Sequence, residues 1–205
     1  MVKSFFNFFK QHRPFLYLPI EIYSREYHSK LYLAQTAARR GWAVIIGPKY
    51  DVNVLAEAMP SGVYLGVGFH KSAAEIAHRL DLKGHLVVSQ DEEGLVRLAP
   101  QFYAEYRVDK KIFDYSKLLF CWGKEQSEVL KAYFGNEEKI ALTGNPRIDV
   151  LSPQNRKFFD KAAKQLVQKF GDFILVNGNF GSVNHESGEA LSLIHISEPT
   201  RRLCI

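Results

Sequence analysis

The sequence predicts an α/β fold with a doubly wound, parallel sheet. Two observations lead to this prediction: short apolar runs alternate with segments of helical periodicity, and the alternation continues six times over about 145 residues. Strands that alternate with helices of this length form βαβ units, in which helices cover both faces of the sheet. The chain has 205 residues, 46% of them hydrophobic, so it can bury a substantial core.

Each predicted strand is a short apolar run bounded by turn-forming or polar residues. The first run, FLYLPIEI, ends in β-branched residues, and the fourth, HLVVS, leads directly into the acidic segment QDEEG. The predicted strands are 15–22, 43–46, 62–67, 85–89, 118–122 and 139–143.

The predicted helices show apolar residues at three- and four-residue spacing. In the first helix Tyr27, Leu31, Ala34 and Ala38 share one face, and Gly41 ends it. Asp51 is placed to cap the second helix and Gly84 to end the third, while 101–115 is mixed in character and predicted to be helical. The predicted helices are 27–38, 51–58, 72–82, 101–115 and 125–133.

The two ends of the chain differ from this pattern. Residues 1–14 combine four phenylalanines with basic residues, which suits an aromatic arm packed on its own domain or a short interfacial helix on an anionic membrane. Residues 15–150 form the predicted Rossmann-like domain, and 151–190 a linker helix and the first strand, 173–176, of a truncated second α/β domain. Residues 191–205 resemble translated sequencing-adapter sequence and are expected not to be native.

Composition excludes several classes of protein. The net charge of +5 is spread along the chain, so it does not indicate nucleic-acid binding. Cys121 and Cys204 form no disulfide framework, and scattered histidines predict no metal site. Walker and Gly-x-Ser-x-Gly motifs are absent, and the Gly66-Val67-Gly68 segment lacks the third glycine of a dinucleotide fingerprint. The next two residues, His70 and Lys71, precede a helix and are candidates for binding an anion, or simply begin that helix.

The acidic segment Asp91-Glu92-Glu93 provides the candidate catalytic residues. In open α/β sheets ligands bind beyond the carboxyl ends of the strands, where the strand order reverses. With the common order 3-2-1-4-5-6 that crevice lies between the first and fourth strands, and it would bring Arg25 close to the three acids. In an extended loop Asp91 and Glu93 point one way and Glu92 the other. One of the acids is then a candidate general base or nucleophile; the alternative is that they solvate a turn.

The most specific segment is Thr143-Gly144-Asn145-Pro146-Arg147-Ile148-Asp149, a tight turn after the last predicted strand. Together with the acidic segment, Trp122-Gly123 and the early Tyr23-x-Arg25-Glu26 loop, it resembles the surface carbohydrate (surface polysaccharide) biosynthesis proteins, which have a GT-B-like architecture. The resemblance covers residues 15–190, which correspond to the front part of a family member.

The resemblance implies a glycosyltransferase that moves a sugar from a nucleotide-sugar donor to a glycan acceptor, without cofactor or metal. It implies that Asp91, Glu92 and Glu93 supply the acid, base or nucleophile. It also implies substrate-binding roles for the residues Arg25, Tyr27, Asn145, Arg147, Asn177 and Asn179, beside His70 and Lys71.

With only two distant cysteines a reducing compartment is the default, so we expect a cytoplasmic protein, with a peripheral contact of residues 1–14 at the inner membrane as a second expectation. Because the donor domain is missing, the 205-residue chain is expected to be inactive alone. Three alternatives remain: a nucleotide-sugar epimerase, a glycerophosphate transferase, and a non-catalytic module that docks at the membrane.

Overall fold

The computed structural model describes residues 13–95, 99–135 and 137–175, and within them the chain forms a six-stranded, all-parallel sheet. The predicted α/β class with a doubly wound parallel sheet is confirmed. The strands are β1 (Phe15–Ile20), β2 (Ala43–Pro48), β3 (Val63–Val67), β4 (Leu86–Gln90), β5 (Leu118–Cys121) and β6 (Ile140–Leu142).

Helices connect the strands as the periodicity predicts, with bounds shifted by a few residues. They are α1 (Tyr23–Arg39), α2 (Lys49–Ala58), α3 (Lys71–Leu82), α4 (Pro100–Phe102), α5 (Ile112–Tyr115), α6 (Lys124–Phe134), α7 (Pro146–Asp149) and α8 (Asp160–Phe170). Short 3₁₀ turns span Glu137–Lys139 and Arg156–Phe159.

Two helix predictions are wrong in detail. The second helix begins at Lys49 after Pro48, so Asp51 lies in its first turn and does not cap it. The segment 101–115 is not one helix, because α4 passes into a π-helix, Tyr103–Arg107, before α5 begins. The π-helix turns the two residues at its ends, Tyr103 and Arg107, toward the loop that follows β4.

The strand order is β2-β1-β3-β4-β5-β6, which corrects the predicted order 3-2-1-4-5-6. The order therefore reverses between β1 and β3, so the crevice begins there and not between the first and fourth strands. The start of β3 lies very close to β1 at Gly62, where a Cβ would meet the carbonyl oxygen of Phe15 at 2.4 Å. Only glycine permits that approach.

Helices cover the two faces of the sheet unequally. Right-handed crossovers place α1 on one face, while the connections that run from β2 toward β6 lie on the other. The larger core includes Tyr17, Tyr64 and Leu119, each almost fully buried, and the smaller core includes Leu18 and packs against α1. Burial of each such side chain contributes about 1.5–3 kcal/mol to the stability of the fold.

The chain divides into two compact units, Met1–Phe158 and Phe159–Ile205. In the second unit α8 is exposed throughout, and 173–175 form neither helix nor strand. The predicted strand 173–176 is therefore not formed over its three described residues. Residues 1–12, Asn177, Asn179 and 191–205 lie outside the described residues, so the aromatic arm, the roles of the two asparagines and the non-native origin of the tail stay predictions. Among the described residues, no helix combines the length and apolar character needed to span a membrane.

Candidate functional site

Charged side chains converge at the carboxyl ends of β1, β3 and β4. Arg25 and Glu26 come from the first turn of α1, His70 follows β3, and the acidic segment follows β4. Parallel strands bring these loops to one edge of the sheet, as the sequence predicts. The acidic segment forms a turn over residues 92–95 and not an extended loop, but its first two acids still point to opposite faces.

Asp91 lies on the face of the sheet that carries the π-helix. Its Oδ2 accepts a hydrogen bond from the hydroxyl of Tyr103 at 2.9 Å, and its Oδ1 accepts from Arg107 at 3.2 Å and from the backbone N–H of Glu93 at 3.0 Å. The Tyr103 hydroxyl in turn accepts from the side-chain amide of Gln126 at 2.6 Å. Asp91 is 3% exposed, so its charge is buried and paired.

Glu92 points to the opposite face, toward α1. Its Oε1 lies 3.0 Å from the ammonium of Lys30, and both side chains are 3% exposed. The geometry of this contact falls outside that of a hydrogen bond, so the pair is ionic. Asn145 donates to the other carboxylate oxygen at 3.3 Å, and the guanidinium of Arg147 donates to the Glu92 carbonyl at 2.8 Å. Glu92 therefore joins α1 to the turn that begins α7.

Glu93 is the most exposed of the three acids, with 41% of its side chain accessible. Its two carboxylate oxygens receive guanidinium groups from opposite sides, at 2.9 Å from Arg25 and 2.8 Å from Arg107. We call these two arginines, with Glu93 between them, the arginine clamp. The clamp spans the crevice from the start of α1 to the end of the π-helix.

Glu26 fixes the first arm of the clamp. The side chain is fully buried, and it accepts hydrogen bonds from the backbone N–H of Glu21 at 2.9 Å and of Ile22 at 3.3 Å. It also accepts two bonds from Arg25, at 3.1 and 2.6 Å. Burial lowers the pKa of Arg25, but hydrogen bonds and charges from Glu26 and Glu93 outweigh burial, and the pKa ends above its ordinary value.

His70 lies at the same edge, at the start of α3. Its Nδ1 accepts hydrogen bonds from the backbone N–H of Ala73 and the hydroxyl of Ser72, so the neutral ring carries its proton on Nε2. Burial, followed by the charge of Lys49, lowers the pKa of His70, against a smaller opposing effect of Glu21. Phe69 and Val108 form an isolated parallel bridge, which brings His70 and Arg107 onto neighbouring segments.

A cavity of about 310 Å³ opens beside the acidic turn. Trp122 and Tyr103 supply aromatic walls, and Gln126 and Lys124 supply polar groups at the start of α6. Its lining residues among those described are Gly94, Leu95, Pro100, Tyr103, Trp122, Gly123, Lys124, Glu125, Gln126 and Val129. The candidate site thus combines a charged crevice with an adjoining cavity.

Gly94 is required where the acidic turn passes the cavity wall. A Cβ on Gly94 would lie 2.5 Å from Cδ1 of Trp122 and 2.8 Å from the side-chain amide of Gln126. The indole N–H of Trp122 donates to the Asp91 carbonyl, and the guanidinium of Arg147 lies 5.3 Å above the indole ring. The turn, the indole and Arg147 therefore hold one another in place.

The structure brings together most of the predicted site residues. Arg25, Glu93 and Asp91 share one network, and Glu92, Asn145 and Arg147 share another. Three predicted residues lie outside both networks: His70 bonds to Ser72 and Ala73, as described above, and the other two are Tyr27 and Lys71. Tyr27 stacks on Tyr23 with 4.5 Å between ring centroids, and Lys71 is exposed on α3.

Sequence reasoning missed four residues that complete these networks: Lys30, Tyr103, Arg107 and Gln126. Lys30 had a detectable signal, since a lysine among the inward-facing residues of a helix needs an anionic partner. Tyr103 and Arg107 had none, because their common direction depends on the π-helix. The described residues contain no group of three or more His, Cys, Asp or Glu side chains arranged to hold a metal ion.

Comparison with known proteins identifies no relative: no family model matches the chain, and no curated protein and no solved structure matches it. The candidate site is therefore interpreted from its own geometry.

Proposed function

We propose that this chain is the front part of a GT-B-like glycosyltransferase that acts in bacterial surface polysaccharide biosynthesis. The single observation that carries the proposal is the aromatic-walled cavity directly beside the acidic turn, at the carboxyl ends of parallel strands. Ligand sites in open α/β sheets lie at this edge, and they combine apolar walls with a few placed polar groups.

The size of the cavity favours one sugar ring over a complete nucleotide sugar. Its volume of about 310 Å³ is at the lower limit for small-molecule sites. The indole of Trp122 offers apolar ring surface, and Gln126 and Lys124 offer donors for hydroxyl groups. We therefore assign the cavity to the glycan acceptor, and the nucleotide-sugar donor to protein outside this cavity.

The three acids have different roles in this proposal. Asp91 and Glu92 are buried and paired, so they position the cavity wall and the turn at α7. Glu93 is accessible and adjoins the cavity through Gly94, so it is our candidate for the carboxylate that acts on the acceptor.

Ligand-detected NMR on the purified chain tests the acceptor assignment. We expect monosaccharides to show saturation transfer that is lost in the Gly123→Phe variant. A side chain at Gly123 lines the cavity, its Cβ meets nothing within 4 Å, and its backbone is extended, so the chain should fold while the cavity is filled. The control is Leu82→Phe, an exposed position at the far end of α3. Equal saturation transfer in both variants contradicts the assignment.

Transfer itself requires the complete protein. There we expect Glu93→Gln to remove sugar transfer while leaving the fold intact, whereas unchanged glycan output would favour a non-catalytic role. For the 205-residue chain we expect no turnover, and multiple-turnover transfer by this chain would refute that expectation.

A further inference from the structure

Glu93 occupies a position that suits an external anion. Its carboxylate receives one guanidinium on each oxygen, the arrangement in which arginine pairs bind phosphate and carboxylate ligands. The two arginines come from segments 82 residues apart in sequence, so the clamp is a product of the fold and not of local chain geometry.

Both arms of the clamp are held independently of Glu93. Buried Glu26 accepts two hydrogen bonds from Arg25, and buried Asp91 accepts one from Arg107. Removal of the Glu93 side chain would therefore leave the two guanidinium groups in place. A site whose donors are already positioned binds a ligand without the entropy cost of ordering them.

Glu93 can leave the clamp with little loss elsewhere. Its side chain is 41% exposed, so rotation into solvent leaves its carboxylate hydrated. Asp91 and Glu92 differ in this respect, because each is 3% exposed and would leave buried partners behind.

The charge balance at the crevice identifies Glu93 as the surplus anion of the cluster. Arg25, Arg107 and Lys49 carry three positive charges, and Glu21, Glu26 and Asp91 carry three negative charges. Glu93 adds a fourth negative charge that an incoming anion would replace. Neutral His70, with its proton on Nε2, lies on the segment next to Arg107 and provides a further donor at this edge.

We propose that the arginine clamp is a binding site for a phosphoryl group and that Glu93 is an internal carboxylate which the phosphoryl group displaces. A phosphoryl group offers three terminal oxygens, two for the arginines and a third for another donor, whereas Glu93 has only the two that the arginines already use. The inference goes beyond the transferase proposal, since it requires neither a sugar nor a transfer step.

Titration of the purified chain with inorganic phosphate and with pyrophosphate, followed by calorimetry and ³¹P NMR, tests the site. Glu93→Gln should raise the affinity for both probes about tenfold or more, because the competing carboxylate is lost. The matched control is Glu57→Gln, which also removes the carboxylate of an ion pair with an arginine, Arg79, but at an exposed site on α2. It should leave the affinity within about twofold of that of the parent chain.

A substitution in the arginine clamp itself is the second part of the experiment. Arg107→Lys keeps the charge but loses the planar fork, and it should lower the pyrophosphate affinity of the Glu93→Gln chain about tenfold. The proposal is overturned if Glu93→Gln and Glu57→Gln behave alike, if Arg107→Lys binds as well as arginine, or if neither probe binds at 10 mM, about the weakest affinity worth assigning to a site. Malonate as a third probe separates the ligand classes: a gain for malonate without a gain for phosphate overturns the phosphoryl assignment.

Discussion

The buried pair of Lys30 and Glu92 makes a quantitative prediction about stability. Replacing Lys30 by methionine keeps most of the side-chain volume but leaves the Glu92 carboxylate 3% exposed, with the Asn145 amide at 3.3 Å as its remaining side-chain partner among the described residues. At the observed 3.0 Å separation, the Coulomb attraction is about 5.5 kcal/mol with an effective dielectric constant of 20. We expect Lys30→Met to lower the free energy of unfolding by about 3–5 kcal/mol, the range for a buried charge that loses its partner.

Urea denaturation followed by tryptophan fluorescence and circular dichroism measures this change. The matched control is Arg79→Met, which breaks the Arg79–Glu57 pair of almost the same length, 3.1 Å, but with both side chains about half exposed. That loss should stay below about 1 kcal/mol. The double variant Lys30→Met/Glu92→Gln should recover at least half of the loss, because neither position then carries an unpaired buried charge. Equal losses in Lys30→Met and Arg79→Met would refute the reasoning.

Three further predictions concern the core and the cavity wall. In a Cys204→Ser chain, Cys121 should react with a thiol reagent at pH 8 about a thousandfold more slowly in the native than in the unfolded state, because burial raises its pKa from 9.0 to about 12 and lowers the thiolate fraction by that factor. The contribution of this buried thiol to stability should decline as the pH rises above 9.0, where the unfolded thiol ionises first. Gly94→Ala should displace the indole of Trp122, seen as a shifted fluorescence maximum, and should weaken any monosaccharide binding to the cavity. Tyr103→Phe should lower the urea midpoint by the equivalent of about 1–3 kcal/mol, since it leaves a buried carboxylate without one of its donors.

The fold class was predictable because each strand and most helices carry a local signal. The run that became β1 is apolar and that of β4 begins with three apolar residues, and Gly41 and Gly84 lie just beyond the ends of α1 and α3. The strand order was not predictable from this alternation, since the same succession of strands and helices fits both the predicted order 3-2-1-4-5-6 and the observed order β2-β1-β3-β4-β5-β6. Which strands lie side by side is set by contacts between distant segments, such as the close approach of Gly62 to Phe15, and the local pattern does not show these contacts.

The candidate site was predictable to the extent that it follows strand ends. The alternation along β4 continues into the loop, so Asp91 and Glu92 point to opposite faces as predicted. What the pattern did not provide was the environment of each acid. Three adjacent carboxylates look equivalent in sequence, but the fold buries two and exposes Glu93, and it does so with partners, such as Arg107, whose direction depends on the π-helix.

The contacts of Glu92 bear on how the protein can fold while it is being synthesised. Lys30 is translated early and Arg147 late, yet both contact the same buried residue. A nascent chain that has released only residues 1–95 therefore has Glu92 and Lys30 outside the ribosome, whereas Asn145 and Arg147, which also bind Glu92, have not yet emerged. The amino-terminal half of the sheet should consequently remain loose until the segment around Asn145 emerges, so that folding of this unit is completed late and cooperatively.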